Sequence, residues 1–157
     1  MINLQLGDVS HIIQLAIAPV FLLTGVGTIL SVLTSRLARI IDRSRVVEEL
    51  LHGENSPAIS PAGLEEELHE LYERSHLINR AITLSTSCGL LICLVIAALF
   101  TGDATNLNLE KLIASLFVAG VFSLIGSFIF FMREIFVATK TLARQRKLGR
   151  RKIIARE

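Results

Sequence analysis

The sequence predicts an all-α membrane protein: three transmembrane helices, the first two extended into a cytoplasmic antiparallel helical hairpin. Three observations carry this. Residues 12–33, 81–100 and 112–132 contain no Lys, Arg, Asp or Glu, and each run of about 20 residues can cross the ~30 Å hydrocarbon core as a helix. All of the 16 Lys and Arg residues except Lys111 lie in segments 34–80 and 133–157. Apolar residues also keep helical spacing well beyond the first run and ahead of the second. With 52% hydrophobic residues, the chain is more apolar than the surface of a soluble domain this size allows.

Residues 1–11, MINLQLGDVSH, are expected outside the membrane. They lack the basic flank of a signal peptide, the apolar run after them is too long for one, and no A-x-A-like site follows, so the run is expected to be retained as a span. The first span, 12–33, contains TGVGT at residues 24–28, where glycine and threonine are poor helix formers. A selectivity filter would need a re-entrant loop and a second short helix, and the span has no residues to spare for them. Pro19 with Gly25 and Gly27 could form a hinge. A third reading, a seam for close helix packing at Gly25 and Gly27, accounts for more residues. Thr24, Thr28, Ser31 and Ser35 recur at four- and three-residue steps, continuing through Ala38, Asp42, Arg45 and Glu49. This heptad stripe of small hydroxyls becomes charged past the apolar run. Gln14 adds polarity about three turns earlier. Leu22, Val26, Leu30, Leu33 and Leu37 form the other face, so the stripe faces another helix or water.

Segment 34–80 is expected to form the hairpin, with Leu37, Ile40, Ile41, Val47 and Leu51 continuing the first helix. Gly53, Pro57, Pro61 and Gly63 place the turn near 53–61, and Ser60 before Pro61 is a helix start. Leu64, Leu68, Leu71 and Ile78 then lead into the second span, 81–101. Folding back near residue 56 sets Arg36, Arg39 and Arg43 against Glu66, Glu70 and Glu73, with Arg43 beside Glu70 and Arg39 near Glu73 or Arg74. Exposed pairs of this kind contribute at most about 1 kcal/mol each, so their value lies in register. Asp42 and Glu134 are the expected partners of Arg80 and Arg133.

Cys88 and Cys93 lie within the second span on different helix faces, which disfavours a disulfide. Residues 102–110 form a short external loop. The third span, 111–133, carries Ser115, Ala119, Ser123 and Ser127 at four-residue intervals, a spacing that lets helix backbones approach closely. The tail, 134–157, is basic and helical, and Arg144, Arg146, Lys147, Arg150 and Arg151 are expected at anionic lipid headgroups. Its basic stretch, residues 140–156, has no aromatic side chain to stack bases, so it is not expected to bind nucleic acid. His52, His69 and His76 form no metal set, and no nucleophile–base pair or phosphate loop is visible. Neither metal, cofactor nor enzymatic activity is expected.

The run IAPVFLLTGVGTILSVLTSRLARIIDRSR, followed by a second hydrophobic hairpin, resembles the bacterial membrane family catalogued as domain of unknown function 2721. The resemblance spans nearly the whole chain and is strongest over residues 16–45. It implies a small three-span protein of the bacterial inner membrane and brings no activity. The positive-inside rule places the amino terminus outside and the hairpin and carboxyl terminus in the cytoplasm. Two functions fit: a homo-oligomeric ion channel or conduit lined by the hydroxyl stripe of the first span, or a non-conducting scaffold or regulator whose hairpin binds a cytoplasmic protein partner.

Overall fold

The computed structural model describes residues 6–52, 61–105 and 109–154, with side chains at 13–52, 62–102 and 109–139. These residues form three helices: α1 (Leu6–His52), α2 (Pro61–Thr105) and α3 (Glu110–Ile154), of 47, 45 and 45 residues. At about 1.5 Å per residue each is roughly 70 Å long, about twice what a membrane core requires. All three are long and apolar enough to cross a membrane. Residues 53–60 of the expected turn near 53–61, and 106–108 of the expected loop at 102–110, lie outside the described residues, while 102–105 and 110 are helical.

α1 is described as far as His52. α2 opens on Pro61, whose fixed φ and missing N–H suit a first helical position. Between its ends α1 is continuous through Pro19, Gly25 and Gly27. TGVGT is therefore helix, with its carbonyls directed along the helix rather than presented by a loop. α2 continues through Gly102 to Thr105, four residues beyond the expected end of the second span.

The chain divides into two compact units. The first joins Met1–Val32 to Ile82–Ser127. Its core is Val26, Cys88 and Ile92, packed by Leu22, Leu23, Leu30, Ile96, Phe117 and Leu124. The packing around these three residues is apolar, and the unit also buries the hydroxyls of Ser85 and Ser127. Phe21, Phe122 and Leu90 are 73%, 69% and 63% exposed. Large apolar side chains at such exposure are what a lipid-facing surface presents and what an aqueous one avoids.

The second unit joins Leu33–Ala81 to Phe128–Glu157. It buries Leu33, Ile40 and Val47 from α1, Leu64, Leu71, Ile78 and Ala81 from α2, and Glu134 from α3. Ile41 and Leu68 fall outside this buried set, at the exposed and half-buried levels.

One repeat organises burial in each unit. Buried positions on α1 are Pro19, Val26, Leu33, Ile40 and Val47, seven residues apart, with Ala16 three residues before the first; on α2 they are Leu64, Leu71, Ile78, Ser85 and Ile92, with Ala81, Cys88 and Val95 three residues after the last three. Gly120, Ser127 and Glu134 continue the pattern on α3. A strict seven-residue repeat is the signature of knobs-into-holes packing, in which positions three or four apart share the seam.

Candidate functional site

The α1 stripe lies opposite that seam. With Val26, Leu33 and Ile40 turned inward, Thr24, Thr28, Ser31, Ser35 and Asp42 occupy the two heptad positions farthest from the packed face, and all five are exposed. Gln14 is exposed on the same side. Thr24 Oγ1 donates to the Val20 carbonyl at 3.2 Å and Thr28 Oγ1 to the Thr24 carbonyl at 3.1 Å. Ser31 and Ser35 are also engaged. Hydroxyls bonded back to their own helix can sit in an apolar environment without an orphaned donor. A Cβ built on Gly25 or Gly27 meets nothing within 4 Å, so no helix of the same chain packs against them.

Close packing occurs instead between α2 and α3 in the first unit. Ser123 Oγ donates to the Leu84 carbonyl at 2.8 Å, and the buried Ser85 and Ser127 hydroxyls lie 2.9 Å apart. A Cβ on Gly120 would stand 3.2 Å from Ile92 Cδ1, and one on Gly126 3.2 Å from Leu84 Cδ1. Ser123 and Ser127 thus face α2 of their own chain, while Ser115 and Ala119 are exposed. The two glycines belong to this contact and are absent from the four-residue serine spacing, which is why that spacing alone did not single them out.

In the second unit the charges pair differently from expectation. Glu134 is fully buried and accepts from two arginines. Arg36 Nη1 reaches one carboxylate oxygen at 3.0 Å; Arg74 Nε and Nη2 reach the other at 3.1 and 2.9 Å. Arg80 and Arg133, the expected partners, lie elsewhere: Arg80 stacks over the Phe130 ring at 5.8 Å, and Arg133 is exposed. Residues adjacent on a helix point away from each other, so Arg133 cannot turn to its neighbour Glu134. Arg36 also lies over Phe131, 5.3 Å from the ring centroid. A guanidinium can offer an edge to a carboxylate and a face to an aromatic at once.

Arg43 pairs with Glu67 rather than Glu70, with Nη2 2.7 Å from Oε1. Glu67 stands three residues after buried Leu64, on the seam side of α2. Glu73 is exposed, with His69 Nε2 at 3.7 Å, and Glu66 is exposed too. Arg39 is exposed and does not bond Glu73; its Nε donates to the Ser35 carbonyl at 3.5 Å, and it lines the same cleft as Arg74, the other neighbour expected for it. Tyr72 was not singled out by the sequence. Its hydroxyl donates to Glu48 at 2.7 Å, and the bond and negative charge of that carboxylate hold the phenol above its ordinary value.

Among the described residues no three His, Cys, Asp or Glu side chains gather as a metal set. Cys88 and Cys93 are both free thiols, the first buried and the second exposed. The backbone of Arg144, Arg146, Lys147, Arg150 and Arg151 is helical, and their side chains lie outside the described residues.

Three long apolar helices and a charge-paired second unit define an all-helical chain with three candidate membrane spans. The family model described as "Protein of unknown function (DUF2721)" matches residues 16–144, and the chain belongs to that family. No curated protein and no solved structure matches the chain.

Proposed function

We propose that the chain is a multi-pass inner-membrane protein of bacterial type, with its amino terminus outside and its carboxyl terminus in the cytoplasm. Several copies assemble around the outer face of α1 and enclose a conduit for ions or small solutes. The observation that supports this is the outward placement of Thr24, Thr28, Ser31 and Ser35, opposite the packed seam. A helix facing only lipid gains nothing from a run of hydroxyls on that side, and the open space over Gly25 and Gly27 admits a second backbone. Because the first unit packs apolar side chains around Val26, Cys88 and Ile92, a polar path would have to run between copies.

A second reading is supported by a different observation. Ile41, Val46 and Tyr72 are 39%, 45% and 49% exposed on the second unit, apolar side chains beyond the first apolar run that a soluble partner could cover. In that reading the protein is a non-conducting scaffold or regulator, and the stripe is a dry contact between copies.

Cysteine scanning with conductance separates the two. With Cys88 and Cys93 changed to alanine, cysteines at 24, 28, 31 and 35 should react with small water-soluble thiol reagents, and those at 22, 26, 30 and 33 should not. Purified protein in bilayers should conduct, and Thr28→Phe should block it while Thr28→Ser does not. Unreactive cysteines on both faces, with Thr28→Phe dispersing the oligomer, would leave the scaffold reading standing. A strictly monomeric mass in detergent would remove the conduit.

A further inference from the structure

We infer that the second unit carries a binding site for a phosphate group, in a cleft between its α1 and α2 segments. Four arginines, Arg36, Arg39, Arg43 and Arg74, line this cleft over an apolar floor of Ile40 and Leu71. Its volume is about 250 Å³. At about 30 Å³ per water molecule this is room for roughly eight waters, ample for the five heavy atoms of a phosphate and part of its hydration.

Charge balance points to an anion. Glu134 is shared between Arg36 and Arg74, and Glu67 serves Arg43. The four guanidinium groups are thus met by two carboxylates, and the cleft keeps an excess of two positive charges. A phosphomonoester carries about −1.5 to −2 at neutral pH. Guanidinium groups present paired N–H donors that match the spacing of phosphate oxygens, which makes arginine the side chain suited to planar, bidentate anion recognition. Three of the four are held in place by their carboxylates, so little side-chain freedom is lost when an anion binds. Arg39 retains its charge toward the opening.

Position suggests where the phosphate comes from. Arg36 lies three residues past Leu33, the last residue of the first apolar run, and Arg43 ten residues past it. At about 1.5 Å per residue the cleft spans roughly 5–15 Å beyond the apolar segment, a depth reached by lipid headgroups and by soluble phosphates alike. This proposal is independent of whether the protein conducts.

The test uses the full chain in neutral detergent and in nanodiscs. Inorganic phosphate is titrated calorimetrically in detergent. In parallel, thermal stability is compared in nanodiscs of phosphatidylcholine and of phosphatidylcholine with phosphatidic acid. The variants are Arg39→Gln, which leaves the Glu134 and Glu67 pairs intact, and Arg45→Gln, an exposed arginine of the same helix outside the cleft. Losing one charge-assisted contact should weaken binding roughly tenfold or more in Arg39→Gln. Arg45→Gln should bind like the parent, and Arg39→Lys should recover part of the affinity. Response to inorganic phosphate that depends on Arg39 establishes the site with a soluble ligand; an Arg39-dependent response to phosphatidic acid alone establishes it as a headgroup site. Equal responses in the parent, Arg39→Gln and Arg45→Gln, or no response to either probe, overturn the proposal. The basic tail is present in every variant, so general attraction to anions cannot mimic the difference.

Discussion

Glu134 joins side chains from all three helices, Arg36 on α1 and Arg74 on α2 meeting it from α3. Removing it strands two arginines against each other in a partly buried space. Glu134→Ala should therefore lower stability by about 3 kcal/mol, read as a fall in thermal unfolding temperature in detergent. The pairing itself is worth much less than that loss suggests, because burying three charges forfeits their hydration. Replacing the whole cluster by Arg36→Met, Arg74→Met and Glu134→Leu should return stability close to the parent's or above it. A triple variant as unstable as Glu134→Ala would show that the pairing has a net value of its own. Tyr72 gives a second residue-level test. It is the chain's single tyrosine and there is no tryptophan, so ultraviolet absorbance titrates it alone. Its midpoint should lie above the ordinary 10.0 because of Glu48, and Glu48→Gln should bring it back down. Whatever this bond adds to stability is present below the unfolded-state value and is lost as pH rises through the higher folded one.

The glycines separate two kinds of helix face. A side chain at Gly126 or Gly120 enters the α2–α3 contact, where Leu84 and Ile92 stand within 3.2 Å of a Cβ. Their flexible ends can yield to alanine, so Gly126→Ala should be nearly neutral, whereas Gly126→Leu should lower thermal stability by about 1–3 kcal/mol through overpacking. Gly25 and Gly27 meet nothing. Gly25→Ala should raise the stability of the isolated chain by about 0.5–1 kcal/mol, the usual gain from replacing a helical glycine. Gly25→Leu should spare the chain yet disrupt any assembly built on this face, measured as mass in detergent. The three helices and the stripe's spacing were legible in the sequence because charge-free length, a proline suited to a helix start at Pro61 and seven-residue recurrence are local properties. Which α1 face packs was not, since in lipid both small hydroxyls and leucines make serviceable seams. Nor were the partners of Glu134, which lie 60 and 98 residues away in sequence. No local spacing points to them; they follow from where three helices bring their side chains.

For the whole molecule, charge distribution carries the topology. Apart from Lys111, every Lys and Arg lies in segments 34–80 or 133–157, and on the proposed topology this bias would hold those segments on the cytoplasmic side during insertion. If all three candidate spans cross the membrane, their odd number would put the amino terminus on the opposite side from the carboxyl terminus. A tag at the amino terminus or within residues 102–110 should be labelled by a membrane-impermeant reagent on intact cells stripped of their outer layer. A tag near residue 56 or at the carboxyl terminus should be labelled only after the membrane is opened. Lys111, the single basic residue outside those segments, allows a sharper version. Adding four arginines to residues 1–11 while replacing Arg36, Arg39, Arg43 and Arg45 with glutamine should remove much of the bias at the first span. A mixed labelling pattern should result, with part of the population exposing residue 56. If the unaltered chain already exposes residue 56, the spans are inverted. The basic tail would then face outside, and the Glu134 cluster and the arginine cleft would meet the outer leaflet.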